Sequence, residues 1–174
     1  TFDGVVLAFH DTHLDRMTGR RGRLDALTWD EIRHLPVHGG EPIPRLSDLL
    51  VRWPDVRFNI DPKSDAVLAP LISLIDEHDA RDRVCVGSFS HSRLDRARQH
   101  RVTTSASPRE VFSIRLGSLG WPNRLRPRVR AHCLQVPTHH HGVPVIDRRF
   151  VRFAHRVGMP VHVWTINSRD EMHR

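Results

Sequence analysis

Short apolar runs alternate with longer amphipathic stretches along most of this 174-residue chain. GVVLAF (4–9) reads as a buried strand, and with the Asp3-Gly4 turn dipeptide before it, Thr1 to Phe9 reads as the returning arm of a hairpin. Residues 28–35 predict a short helix: Thr28 and Glu31 stand at capping-box spacing, with Ile32 and Leu35 facing inward. GGEPIP (39–44) is loop, and LSDLLVRW (46–53) is a second short helix stopped by Pro54. From there the rhythm is regular. Strands are predicted at 56–61, 84–89, 102–107, 132–137 and 161–167. Helices are predicted at 66–78, 90–100, from Pro108 through PREVFSIRLG, at 147–158, and again from Ser168. Residues 118–130 read as an irregular connection.

Strand and helix in strict alternation imply an α/β fold whose sheet is parallel and covered by helices. No strand is followed by a Gly-rich phosphate loop, which argues against a dinucleotide-binding sheet. A barrel of βα units would place its chemistry at the C-terminal strand ends, and those ends carry suitable residues. His10-Asp11 follows the 4–9 run. Asp61 and Lys63 follow RFNI, on one side if the backbone stays extended. A carboxylate beside an ammonium can bind a divalent cation and hold a phosphoryl oxygen, although an isolated Asp-x-Lys is ordinarily a surface ion pair. Phe89 lies in GSFS, where Ser90 also suits a helix N-cap. Gln135 is a buried polar group in need of a partner, and Trp164 could wall an apolar part of a ligand, although a Trp in an apolar strand is more often core.

Composition changes this picture in one respect. The formal net charge is +7, and Lys63 is the sole lysine of the chain. Arginine is spread through every segment without a lysine-rich block or interleaved aromatics, so a codon bias that writes arginine wherever a cation will do accounts for it better than a nucleic-acid interface does. The exception made for Lys63 points to a tight site, because a compact ammonium and a planar guanidinium are not interchangeable against a phosphoryl oxygen. Cys85 and Cys133 sit in apolar runs and make no disulfide framework or metal-ligand spacing. No apolar run approaches the roughly 20 residues of a membrane span. His139-His140-His141 reads as a solvated loop, since adjacent side chains point to different sides. His13, His91 and His162 likewise read as non-ligands.

Taken in order and spacing, DGVVLAFHDTHLDRMTG, LTWDEI, GEPIPRLSDLL, RFNIDPK, RVCVGSFSHSRL and VHVWTIN resemble a bacterial glycerophosphodiester phosphodiesterase. The resemblance is weakest at 113–131 and 138–142. It implies an incomplete (β/α)8 TIM barrel, about strands three to seven, with a small insertion near the N-terminus. Residues 1–50 would be the hairpin arm and insertion, and 51–174 the barrel βα units. His10 would be a catalytic histidine, able to take or give a proton near neutral pH. Asp11 would orient the turn or the imidazole, Lys63 would be the catalytic cation, and Asp61 a ligand of a divalent metal ion, Ca2+ or Mg2+. The family's H-R-G motif does not occur in the sequence, and no predicted strand carries its Glu-x-Asp pair. The chain is therefore expected to be a fragment, inactive by itself. Met17 stands where the family usually has Thr, and Pro62 fills the variable position of N-I-D-x-K.

The implied reaction is hydrolysis of glycerophosphodiesters to glycerol 3-phosphate and an alcohol, in the cytoplasm, with a small-molecule substrate and no nucleic-acid partner. Two alternatives are a related phospholipase D-like lyase that forms a cyclic phosphate, and a basic anion- or RNA-binding module. A cyclic product would mark the first, and steep salt dependence of nucleic-acid binding the second.

Overall fold

The computed structural model describes residues 1–140 and 142–172, in two units, Thr1–Val84 and Cys85–Arg174. The first unit is built from short elements: α1 (Asp15–Thr18), α2 (Trp29–Ile32), α3 (Leu46–Arg52), β1 (Phe58–Ile60) and α4 (Leu68–Glu77). The predicted capping box forms at α2, where the backbone N–H of Thr28 donates to the Glu31 carboxylate at 2.8 Å. Ile32 is then buried with Leu14 and Ile43, and Leu7, Phe9 and Leu35 pack against them. α3 stops before Pro54 as expected, and Arg83 donates to the carbonyls of Leu50 and Trp53 at 2.9 and 3.1 Å. Such a guanidinium satisfies helix-end carbonyls that have no partner within the helix.

The expected strand at 4–9 does not form. Its pairing is a single antiparallel bridge, Leu7 with Arg45, flanked by hydrogen bonds from Ala8 N–H to Pro44 and from Leu46 N–H to the Val6 carbonyl. The partner segment turns into α3 at Leu46, so no ladder can extend. Nor do residues 1–9 make a hairpin arm. Thr1 closes onto the Val5 carbonyl through its amino group and hydroxyl, around a turn that needs the positive φ of Gly4.

The second unit runs β2 (Val84–Val86), α5 (His91–Gln99), β3 (Thr103–Thr104), α6 (Pro108–Ser118), β4 (Leu134–Pro137), β5 (His139–His140), β6 (Val143–Pro144), α7 (Arg148–Arg156), β7 (Val161–Trp164) and α8 (Arg169–Met172). β2 pairs parallel with β3, Ser105 bridges Cys133 in parallel, and β4 pairs parallel with β7. Strands adjacent in this series are thus adjacent in space, joined by α5, α6 and α7, as in a singly wound βα array. Ser90 caps α5, accepting the Arg93 N–H at 3.3 Å, and Asp147 caps α7 through Phe150 N–H at 2.8 Å. Leu134 and Val136 face Ile114, Phe150 and Ala154 in the core, so Gln135 and Pro137 point to the opposite face of the sheet.

Cys85 and Cys133 meet on that side, their sulfurs 3.8 Å apart. The strand segment between them would hold β2 and β4 about 9 to 10 Å apart in a flat sheet, so the contact shows that the sheet curls toward this face. The hydrogen bond to Cys133, together with burial, pushes the Cys85 thiol up, keeping it protonated.

His139 and His140 depart from the loop reading. They pair antiparallel with Val143 and Pro144, with both side chains exposed. His141 lies outside the described residues.

One glycine matters for packing. Gly117, inside α6, lies under Phe153 of α7 and the guanidinium of Arg126, where a Cβ would overlap both. Gly117→Ala is expected to destabilise the protein by about 1–3 kcal/mol, because overpacking forces side chains off their rotamers. A thermal melt checks this, and an unchanged midpoint would contradict the close approach.

Candidate active site

His10 follows the segment that Ala8 and Leu46 tether, and it is the most exposed member of its cluster, at 77% of the side chain. Its Nδ1 lies 2.8 Å from Asp11 Oδ1. Arg16, from α1, donates through Nε to Asp11 Oδ2 at 2.7 Å and through Nη2 to Oδ1 at 3.0 Å. This forked pair, and then the His10 contact, hold the Asp11 carboxyl down to about 2. Asp11 therefore stays anionic at neutral pH and can only accept. The proton of a neutral His10 then belongs on Nδ1, leaving the Nε2 lone pair free to take a proton from a ligand. The pair keeps its charge above the ordinary Asp range, and loses it as pH falls from about 4 toward 2. An open depression of ≈ 590 Å³ surrounds this array, lined by His10, Asp11, Thr12, His13, Asp15 and Arg16.

β1 ends at Ile60 and delivers Asp61 to its C-terminal edge, followed by the buried Pro62 and then Lys63. Lys63 Nζ donates to Asp61 Oδ2 at 2.7 Å, so the two side chains do share one side. Both are more than a third exposed, which keeps them within reach of a ligand. Among the described residues no group of three or more His, Cys, Asp and Glu side chains is gathered to hold a metal. Ca2+ and Mg2+ take six or more oxygen ligands, several from carboxylates. Asp61 supplies one, so the described residues do not by themselves make up a metal site.

In the second unit Gln135 and Trp164 lie on one face of the β4–β7 pair, and Phe89 meets Trp164. Gln135 stands opposite His162, and Pro137 opposite Trp164, in the β4–β7 register. Gln135 is half-buried and partnered rather than fully buried, because it lies on the face of β4 away from the helices. Phe89 and Trp164 meet edge to face, with ring centroids 6.2 Å apart and planes at 82°. They remain 69% and 41% exposed. Two touching aromatics left open to solvent at strand ends make an apolar wall of the kind a ligand can cover. Trp164 is thus not core, and Phe89 is its neighbour.

Two features escaped the sequence reading. The fork of Arg16 on Asp11 spans five residues and has no motif of its own. Glu110 is a fully buried carboxylate that gathers Arg98, Ser107 and Arg130. Its sequence signal was the Ser107-Pro-Arg-Glu110 capping box at the start of α6.

The family model for the glycerophosphoryl diester phosphodiesterase family matches residues 1–174. A relative from Mycobacterium tuberculosis, named "Probable glycerophosphodiester phosphodiesterase 2", is 37% identical over 99% of this chain and 67% of its own length. A glycerophosphodiester phosphodiesterase of Caldanaerobacter subterraneus is 28% identical, over the whole of this chain and 73% of its own. Among solved structures, an Oleispira antarctica phosphodiesterase in complex with the product sn-glycerol-3-phosphate aligns with a TM-score of 0.74 at 18% identity, over 98% of this chain and 71% of that one. A glycerophosphodiester phosphodiesterase from Parabacteroides distasonis aligns at 0.72 and 19%, over 99% and 70%. The fold class is α/β, that of a TIM-barrel family, and the chain belongs to the glycerophosphodiester phosphodiesterase family, a family of phosphodiester hydrolases.

Proposed function

We propose that this chain acts in the hydrolysis of glycerophosphodiesters to glycerol 3-phosphate and an alcohol, with His10 as the proton-transfer group. The observation that carries this reading is the Arg16–Asp11–His10 relay, which leaves the imidazole with a free Nε2 and a partner that is anionic at neutral pH. An imidazole so held takes a proton from the attacking hydroxyl or returns one to the departing alcohol. Lys63 supplies a compact positive charge for a non-bridging phosphoryl oxygen, where charge grows in the transition state. Asp61 holds that ammonium in place and offers one carboxylate to a divalent ion, Ca2+ or Mg2+, which would offset the charge of the phosphodiester. In the second unit, taken by itself, Phe89 and Trp164 form an apolar wall for a ligand, and Gln135 lies on the Trp164 face of the β4–β7 pair.

In this reading residues 1–50 are the family's insertion and the segment that carries His10, and 51–174 are successive βα units of an incomplete barrel. Residues 1–174 hold one histidine, one carboxylate and one lysine of the site, with no H-R-G motif and no Glu-x-Asp pair on a strand. We therefore propose that this stretch in isolation turns over no substrate. The substrate is a small molecule met in the cytoplasm, and no helix among the described residues is long and apolar enough to cross a membrane.

The test uses Lys63→Arg, placed in an active polypeptide that joins residues 1–174 to strands bearing H-R-G and Glu-x-Asp. A longer, planar guanidinium cannot put its charge where Nζ stands, 2.7 Å from Asp61. Release of glycerol 3-phosphate from glycerophosphocholine should fall about tenfold or more in kcat/KM, with an unchanged melt. Wild-type turnover by Lys63→Arg would reduce Lys63 to a surface cation.

A further inference from the structure

The N-terminal ends of β3 and β4 lie opposite the strand ends that carry Phe89 and Trp164, and they are basic. Arg101-Val102 precedes β3, and Arg130-Ala131-His132 leads into β4. Between them lies a depression of ≈ 290 Å³, lined by Arg98, Arg101, Val102, Arg130 and His132. Every polar side chain in this lining is a donor. His132 Nδ1 accepts the Thr104 N–H at 3.2 Å, so a neutral ring carries its hydrogen on Nε2.

The nearby carboxylates are already engaged. Glu110 accepts from Arg98 Nη2 at 2.9 Å, from both Ser107 donors and from the Arg130 N–H. Asp95 accepts from Arg98 Nη1 at 3.0 Å and faces His91. Arg98 is thereby fixed and its charge offset, whereas the guanidiniums of Arg101 and Arg130 have no ion-pair partner among the described residues.

Arg101 adds an independent sign. It closes α5 with φ +59°, a left-handed conformation in which glycine is the relaxed choice. A long cation stands at a position where the fold itself would be better served by no side chain at all.

We propose that this depression is a second ligand site, for a small tetrahedral phosphate, held by Arg101, Arg130 and the Nε2–H of His132. Guanidinium forks match phosphate oxygens two at a time, and a cavity of this volume admits inorganic phosphate or a phosphomonoester but no folded partner. The site lies away from His10, Asp61 and Lys63 in the sequence and uses none of them. It also gives a definite place to the anion-binding reading that the arginine content raised.

The experiment titrates the 174-residue chain with inorganic phosphate at constant ionic strength, following heat and melting temperature, with sn-glycerol 3-phosphate in a parallel arm. Saturable binding is expected for wild type and for Lys63→Ala. Arg101→Gly should melt at or above the wild-type temperature without phosphate and bind it at least about tenfold more weakly, as should Arg130→Ala. Tighter binding of sn-glycerol 3-phosphate would identify the ligand as a phosphomonoester, and tighter inorganic phosphate would identify the free ion. Equal affinity in Arg101→Gly and wild type, loss of binding in Lys63→Ala alone, or a melt that follows ionic strength rather than phosphate would overturn the proposal.

Discussion

His10→Ala should lower kcat by about 10²–10⁴-fold in an active polypeptide that contains residues 1–174, while KM changes little. The imidazole is the outermost part of its cluster and its Nδ1 is committed to Asp11, so its removal deletes a proton carrier and few packing contacts. The carboxylate left behind remains paired with Arg16, at 2.7 and 3.0 Å, and the turn should keep its shape. A positioning role for Asp11 can be read separately. Asp11→Asn keeps the size of the side chain but lets an amide nitrogen face Nδ1, which favours the wrong tautomer and weakens the Arg16 fork. Its kcat should fall by a smaller factor than that of His10→Ala. Turnover of His10→Ala within a few-fold of wild type would remove His10 from the chemistry.

The largest expected effect on stability lies at Glu110, in the other unit. Its side chain is 0% exposed and accepts from Arg98 at 2.9 Å, Ser107 N–H at 2.9 Å, Ser107 Oγ at 3.0 Å and Arg130 N–H at 2.8 Å. Burial works to raise this carboxyl, yet Arg98 and the two backbone N–H groups outweigh it and hold it below the ordinary Glu value. Glu110→Ala leaves the largely buried Arg98 with Asp95 as its remaining ion-pair partner, and leaves the N–H groups of Ser107 and Arg130 without their acceptor. The cost should be about 3–5 kcal/mol, measured as a fall in the urea midpoint. Adding Arg98→Met to Glu110→Ala should cost less than the two single losses summed, since the Arg98–Glu110 pair is already broken in Glu110→Ala. Because the folded carboxyl is depressed, its contribution is present in full above the unfolded Glu range, near 4.3, and is lost as pH falls through the folded value. A Glu110→Ala destabilisation below about 1 kcal/mol would show that the network is not holding α5, α6 and the segment before β4 together.

The parts of this protein legible in its sequence were those that repeat over short distances. Thr28 and Glu31, three apart, closed the capping box as read, and Pro54 and Gly158 lie just past the helices they were expected to end. The βα alternation was legible because the apolar period changes between two and 3.6 within ten residues. His10, Asp61 and Lys63 stood out as polar residues placed where apolar runs stop, and matched motifs then gave them roles.

What the sequence did not determine was which segments find partners. GVVLAF has the composition of a strand, but a strand needs a neighbour of equal length, and Arg45 is followed at once by a helix. His139 and His140 had no strand-like composition, yet Gly142 let the chain reverse and pair them. Phe89 and Trp164 are 75 positions apart, and Cys85 and Cys133 are 48 apart, so their meeting follows from sheet curvature and register. The Glu110 network depends on three separate segments converging on one carboxylate. Local propensity is a sum over neighbours in sequence. Burial, charge compensation and ligand-facing geometry are sums over neighbours in space, which exist only once the chain has folded.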